Sequence, residues 1–254
     1  NTDSNGNISL QYECLTEIEK GNFEIGDFIV GMNSNCIAMI VPYNWSEQKL
    51  PSKLNLTSKI NWKKQIQQED ENIAVNITTD LNGNVYVIGY TEGEIDTPSS
   101  TNSNKDIIIL KYNSMGKELW KKQIGPAEED KGYAIKVDTV GNFYVLGTSK
   151  GEIITGTANV GNEDIYLAKY DASGNVLWEI QVATSDIDIG YNLELDSDNN
   201  IYIVGSSKAD LDAGGSESHV GLEDIIIVKY NTSGVQQWIK QYGTTRIDIG
   251  TSIT

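Results

Sequence analysis

Asn72, Asp130, Asp188 and Asp248 occupy one phase of a repeat, spaced 58, 58 and 60 residues apart. An amide and three carboxylates brought to one channel mouth could hold a hard cation through oxygen ligands, with Ca2+ the natural candidate. The plainer reading, preferred here, is that each accepts hydrogen bonds from backbone amides and pins one structural unit to the next. Asp196-Ser197-Asp198-Asn199-Asn200 and Asp3-Ser4-Asn5-Gly6-Asn7 alternate oxygen-bearing side chains as a calcium loop does. They lack the full glycine and distal glutamate pattern of such a loop, so they read as hairpin turns. His219 is the only histidine and lies in a Gly/Ser-rich stretch, as a solvated loop residue would. Trp62, Trp120, Trp178 and Trp238 could stack on sugars, but their fixed spacing reads as packing. No Gly-rich phosphate loop, zinc ligand set, nucleophile elbow or catalytic triad is present, so no catalytic residue is assigned. Acidic pairs are abundant, so residue type alone does not exclude glycosidase chemistry.

The elements that position these groups repeat with the same period. Asp106, Asp164 and Asp224 each open an apolar run that closes with Lys111-Tyr112, Lys169-Tyr170 or Lys229-Tyr230. Asp80, Asp138 and Asp196 each precede a turn and an aromatic-bearing strand. Such a fixed period marks a repeat architecture. In one copy, residues 133–137, 143–146, 164–170 and 176–182 are apolar-rich runs. Asp138-Thr139-Val140-Gly141-Asn142 and Asp171-Ala172-Ser173-Gly174 supply tight turns between them. No 3.6-residue stripe appears, which predicts an all-β protein. Residues 85–88 and 107–110 are apolar without alternation, so these strands need cover on both faces. Four-stranded blades stacked around a ring provide it. The fourth strand carries Lys63-Lys64, Lys121-Lys122 or Lys240, a common guard on an exposed sheet edge. The lysine of each Lys-Tyr pair reads as blade core with a snorkelling amine.

Across residues 60–250 the order is Asp-Ile-x-Leu-x-Lys-Tyr, Gly, Trp, Asp-x-Gly, then Asp-x-x-Gly-Asn-x-Tyr-Val-x-Gly-x-Thr. This pattern resembles the bacterial SBBP-type β-propeller repeat. The resemblance implies a propeller fold and an extracellular or surface-attached bacterial protein, without assigning a chemistry. Residues 13–59 depart from the pattern.

The sequence stops inside a repeat. Arg246-Ile247-Asp248-Ile249-Gly250-Thr251 matches residues 186–191, and the turn that should follow stands at the other terminus as Asp3-Ser4-Asn5-Gly6-Asn7. The expectation is one β-propeller domain over 1–254. Its four four-stranded blades are 73–124, 131–182, 189–242, and 249–254 plus 7–66, with the last closed by pairing of the N- and C-terminal segments. Its third strand is either 27–32 or 36–41. The alternatives are a fragment of a longer array, or a fifth blade within 13–59.

Composition narrows the partners. Net charge is -17, from 36 acidic and 19 basic residues, and Arg246 is the only arginine. Nucleic acid binding needs clustered cations and bidentate arginine, so it is excluded. The apolar runs are far short of the roughly 18 residues of a spanning helix, so membrane insertion is excluded too. Absence of an initiator Met and of a signal peptide reads as a processed or excised form. Cys14 and Cys36 are either bridged or two packed thiols. Lysine far above arginine, with many Asn and Ile, suggests an AT-rich bacterial genome. Glycosylation sites such as Asn55-Leu56-Thr57 then mean little. Short uniform turns occupy one face of the ring, while loops 91–105, 148–163 and 206–223 occupy the other, where binding usually resides. The expected function is a non-enzymatic extracellular or cell-surface interaction or structural module, taking a protein or glycan ligand on the long-loop face. The alternatives are a carbohydrate-binding lectin on that face, and a hydrolase or lyase with carboxylates at the central channel. Repeated shallow aromatic sites would mark the lectin, and one deep pocket with a raised-pKa carboxylate the enzyme.

Overall fold

A computed structural model describes residues 28–33, 36–42, 62–65, 71–93, 104–125, 128–157, 160–211 and 220–254. Every regular element among them is a β-strand. β1 (Phe28–Asn33), β2 (Cys36–Pro42) and β3 (Trp62–Gln65) form a three-stranded sheet in the order β2-β1-β3. Three four-stranded antiparallel meanders follow. The first comprises β4 (Asn72–Thr79), β5 (Val85–Thr91), β6 (Asp106–Tyr112) and β7 (Glu118–Ile124). The second comprises β8 (Asp130–Val137), β9 (Phe143–Ser149), β10 (Asp164–Tyr170) and β11 (Val176–Val182). The third comprises β12 (Asp188–Leu195), β13 (Ile201–Ser207), β14 (Asp224–Tyr230) and β15 (Gln236–Tyr242).

The middle strands show why alternation is missing from the sequence. Every residue of β6 and β9 is buried. The cores lie between sheets: Tyr86, Ile88, Ile107 and Ile109 meet Ile135, Phe143, Val145 and Tyr166. On the other side of the second sheet, Leu146 and Leu167 meet Ile203 and Ile226. Each such side chain contributes roughly 1.5–3 kcal/mol of burial free energy. Strand β14 instead alternates between buried and half-buried, because the face bearing Ile225 and Ile227 is less covered. The fourth strands are sheet edges with exposed outer residues, as their lysines foretell.

Tight turns are closed by their own side chains. Asp138 Oδ1 accepts from the amides of Val140 and Asn142, and Oδ2 accepts from Asn142 Nδ2. Asp80, Asp171 and Asp196 repeat this arrangement. It is the Asx-turn mimicry that makes Asp a turn residue.

Tryptophan joins the sheets. Indole Nε1 of Trp62, Trp120 and Trp178 donates to the carbonyl of Ser114, Ala172 and Thr232 in the next sheet, at 2.9, 3.4 and 3.1 Å. Beneath each ring lies the glycine of that turn, at positive φ: Gly116, Gly174 and Gly234. A Cβ on Gly116 would lie 2.5 Å from Trp62 Cδ2. The indoles are therefore structural parts of the joints.

The β1–β3 register, Met32↔Trp62, matches Lys111↔Trp120, Lys169↔Trp178 and Lys229↔Trp238. Strand β1, Phe28–Asn33, thus stands next to β3 as a third strand stands next to a fourth in the meanders. Strand β2 lies on the other side of β1, where the meanders carry a second strand. Residues 249–254 form no strand, and the segment 7–12 expected to pair with them lies outside the described residues. So do Asp3–Asn7, Cys14, Asn55–Thr57 and His219. No helix of the described residues is long and apolar enough to cross a membrane.

Candidate functional site

Asn72, Asp130 and Asp188 open β4, β8 and β12 and are essentially unexposed, whereas Asp248 is half-buried. Each aspartate sits at a joint between sheets. The amides of Asp130, Asp188 and Asp248 donate to the carbonyls of Lys105, Glu163 and Glu223, at 2.6, 2.7 and 2.8 Å. The neighbouring carboxylate is the one that opens the preceding third strand. A Cβ built on Gly125 would lie 2.6 Å from Asp130 Oδ2 and about as near Asp106 Oδ1, so both line the same spot. The third-strand carboxylates are held by a glutamine of the fourth strand: Gln123 donates to Asp106 at 2.7 Å and Gln181 to Asp164 at 2.5 Å.

The three first-strand aspartates then diverge. Asp188 Oδ2 accepts from the amide and hydroxyl of Thr184 at 2.5 and 2.8 Å, and Asp248 Oδ2 accepts from those of Thr244 at 2.7 and 2.8 Å. At the same phase before Asp130 the sequence has Pro126. Proline offers neither an amide hydrogen nor a hydroxyl. No threonine reaches Asp130, and neither of its carboxyl oxygens has a hydrogen bond of good geometry. The Ser149 hydroxyl, which also bonds the Gly151 carbonyl, lies close enough to Asp130 to oppose the rise of its pKa by hydrogen bonding. Burial pushes the Asp130 carboxyl up to about 8, with Asp106, Glu128 and Glu129 adding to the rise. Burial also raises Asp188, against the hydrogen bonds of Ser207 and Thr184. Asn72 Oδ1 accepts from Thr91 Oγ1 at 2.8 Å. No group of three or more His, Cys, Asp or Glu among the described residues is placed to hold a metal ion. The Asp196 carboxylate is likewise occupied by Asp198 and Asn200 of its own turn, which hold its pKa below the ordinary value.

A second constellation lies nearer the long loops. The first strands of successive sheets are neighbours, and each carries a bulge between Ala74 and Asn76, Gly132 and Ala134, or Gly190 and Asn192. The extra residues are Val75, Tyr133 and Tyr191. Bulges re-aim side chains, and here Tyr133 and Tyr191 meet edge to face with centroids 5.7 Å apart. Their close approach to the second strand requires glycine there: a Cβ on Gly147 would lie 2.5 Å from the Lys131 carbonyl oxygen. Behind the rings, Thr148 Oγ1 donates to Glu163 at 2.7 Å and Ser206 Oγ to Glu223 at 2.6 Å. Tyr133 lies near Thr148 and Tyr191 near Ser206, so the same three residue types stand together in both sheets: Tyr133, Thr148 and Glu163, and Tyr191, Ser206 and Glu223. Burial raises both phenols, and the glutamates raise them further. In the first sheet the set is replaced by Val75, Tyr90 and Lys105, whose ammonium lies over the Tyr90 ring and pairs with Glu71 at 2.8 Å. The sequence did carry a signal for this group. Tyr133 and Tyr191, Thr148 and Ser206, and Glu163 and Glu223 each recur at the repeat spacing. Only the bulge brings them together.

Stacked four-stranded meanders joined by indole and carboxyl contacts define a β-propeller repeat protein. Its repeats are of the SBBP type: residues 62–96 and 178–212 match that family, described as a beta-propeller repeat. Among curated proteins the chain is similar to an uncharacterized WD repeat-containing protein of Acanthamoeba polyphaga mimivirus, at 23% identity over 76% of this chain and 17% of that protein. It is also similar to Regulatory protein FlaEY of Caulobacter vibrioides, at 24% identity over 67% of this chain and 20% of that protein. The chain thus spans about a fifth of the length of these relatives. Among solved structures it is similar to an exo-1,5-alpha-L-arabinanase from a bovine ruminal metagenomic library, with a TM-score of 0.35 and 11% identity over 82% of this chain and 68% of that one. A protein of unknown function from Bacteroides caccae gives a TM-score of 0.21 and 13% identity over 88% and 98%. Scores this low carry no functional argument.

Proposed function

We propose that this β-propeller repeat protein is a non-enzymatic interaction module, extracellular or at a bacterial cell surface. It presents its long-loop face to a partner, and its four blades close through the terminal segments. One observation carries this reading. The repeated groups that could have done chemistry are committed to the scaffold, while Tyr133, Tyr191 and Glu163 on the loop side are only half-buried. The indole N–H groups that a lectin would turn toward sugar donate instead to carbonyls of the next sheet. The raised carboxyl that a hydrolase would use, Asp130, is fully buried, where no substrate reaches it.

A glycan array and a panel of chromogenic glycosides test the reading together. The expected result is no turnover, with any ligand found lost in Tyr133→Ala and kept in Leu81→Ser and Val140→Ser on the opposite, turn-bearing face. Turnover of any glycoside that disappears in Asp130→Asn would replace the module with the hydrolase.

A further inference from the structure

Glu223 is only 8% exposed and Glu163 is half-buried, and the side-chain partner of each is a neutral hydroxyl. Among the described residues no Lys or Arg lies within ion-pair distance of either. Lys150 lies within electrostatic range of Glu163 but makes its ion pair with another carboxylate. Lys131 and Lys150 both pair with Glu129, and Lys105 pairs with Glu71. A hydroxyl stabilises a carboxylate but does not neutralise it, and an ionised carboxylate sheltered from water without a counter-charge is costly. Tyr191 lies within electrostatic range of both glutamates, and Tyr133 within range of Glu163. The face of an aromatic ring attracts cations. Two tyrosines at bulges and two carboxylates with no ion pair at contact distance among the described residues, on a chain of net charge -17, are complementary to a compact positive charge.

We propose that the Tyr133–Tyr191–Glu163–Glu223 cluster binds the side-chain ammonium of a lysine presented by a basic protein segment. The rings lie against the ammonium, the carboxylates neutralise it, and Thr148 and Ser206 hold the carboxylates in place. The overall negative charge steers the basic segment toward the site. This proposal rests on the long-loop face being the binding face.

The test is calorimetry on the whole chain with trilysine, and with its side-chain-acetylated form, which keeps the shape and removes the charge. Trilysine binds, more weakly in high salt, and the acetylated peptide does not. The double variant Glu163→Gln/Glu223→Gln weakens binding by roughly tenfold or more, as expected when charge-assisted contacts of a few kcal/mol are lost. Tyr133→Phe retains binding, because the ring remains, whereas Tyr133→Leu weakens it. Glutamine still accepts from Thr148 and Ser206, so the double variant folds. Without ligand it melts no lower than the wild type, and a lower melting temperature would assign the glutamates a structural role instead. Equal binding of the acetylated peptide, or unchanged binding by the double variant, overturns the lysine assignment. A different ligand that is lost in Tyr133→Leu but indifferent to the glutamine variants would overturn that assignment while leaving the face reading standing.

Discussion

Asp130, Asp188 and Asp248 share a repeat phase but differ in what their carboxyls receive. Thr184 and Thr244 each supply two donors, while the sequence has at the equivalent position a proline, which carries no amide hydrogen or hydroxyl. Burial pushes the Asp130 carboxyl up to about 8, against an ordinary value of 3.8, so it keeps its proton in the fold across that range. Between these values the folded chain holds one proton more than the unfolded chain at this site. Stability from this residue is therefore greatest at low pH, falls as pH rises from about 4 to about 8, and is level above. Asp130→Asn removes that slope. Its melting temperature should exceed that of the wild type by a margin that grows across this window and then stays constant. At pH 8 the gain should be on the order of 1–3 kcal/mol, the usual cost of a buried polar group without a partner. A margin already constant from pH 4 upward would mean that the carboxyl ionises normally in the fold. The sequence showed the shared phase and suggested the pinning role. It also showed Pro126, but the meaning of that proline depends on knowing that Thr184 and Thr244 cap the equivalent residues.

Strands and turns were the most legible level, because their causes are local. The turn residues Asp, Gly and Asn, the unbroken apolar runs and the lysines of the outer strand each act through neighbours in sequence, and β4 to β15 follow them. The bulges were not legible. Tyr133 interrupts no apolar pattern, and its displacement comes from pairing with β9 across Gly147. Two glycine substitutions separate backbone strain from joint packing. Gly141 has φ +93° with its nearest neighbour 3.7 Å from a built Cβ, whereas Gly116 has φ +79° and the Trp62 ring in the way. Gly141→Ala should cost ~1–2 kcal/mol, the left-handed penalty alone. Gly116→Ala should cost clearly more, measured by chemical denaturation. Equal losses would mean that Trp62 is free to move aside. Trp120→Ala should destabilise the unliganded protein toward the lower end of ~3–5 kcal/mol, since the indole is only half-buried. An unchanged melting curve with lost glycan binding would return the tryptophans to a ligand role.

At the scale of the molecule, repetition in the sequence specifies how one sheet meets the next, because each joint uses residues at fixed offsets. It specifies much less about what meets the outer face of the third meander. There Trp238 is 39% exposed, and Ile247 and Ile249 lie open as well. Under four-blade closure, removal of residues 249–254 lowers the melting temperature and enlarges the particle in size-exclusion chromatography. If both stay unchanged, the terminal segments do not close the ring.

The indole joints also bear on how such a protein could lengthen. A tryptophan near the end of one repeat donates to a carbonyl 52 or 54 residues further along, in the following repeat. The segment that a gene duplication would copy is therefore not the segment that is stable, since half of every joint belongs to the neighbour. A copied repeat arrives with a donor for the unit after it and an acceptor for the unit before it. It can be spliced between any two others without a new interface having to evolve, whereas a single repeat excised from the array would leave its indole and its turn without their counterparts.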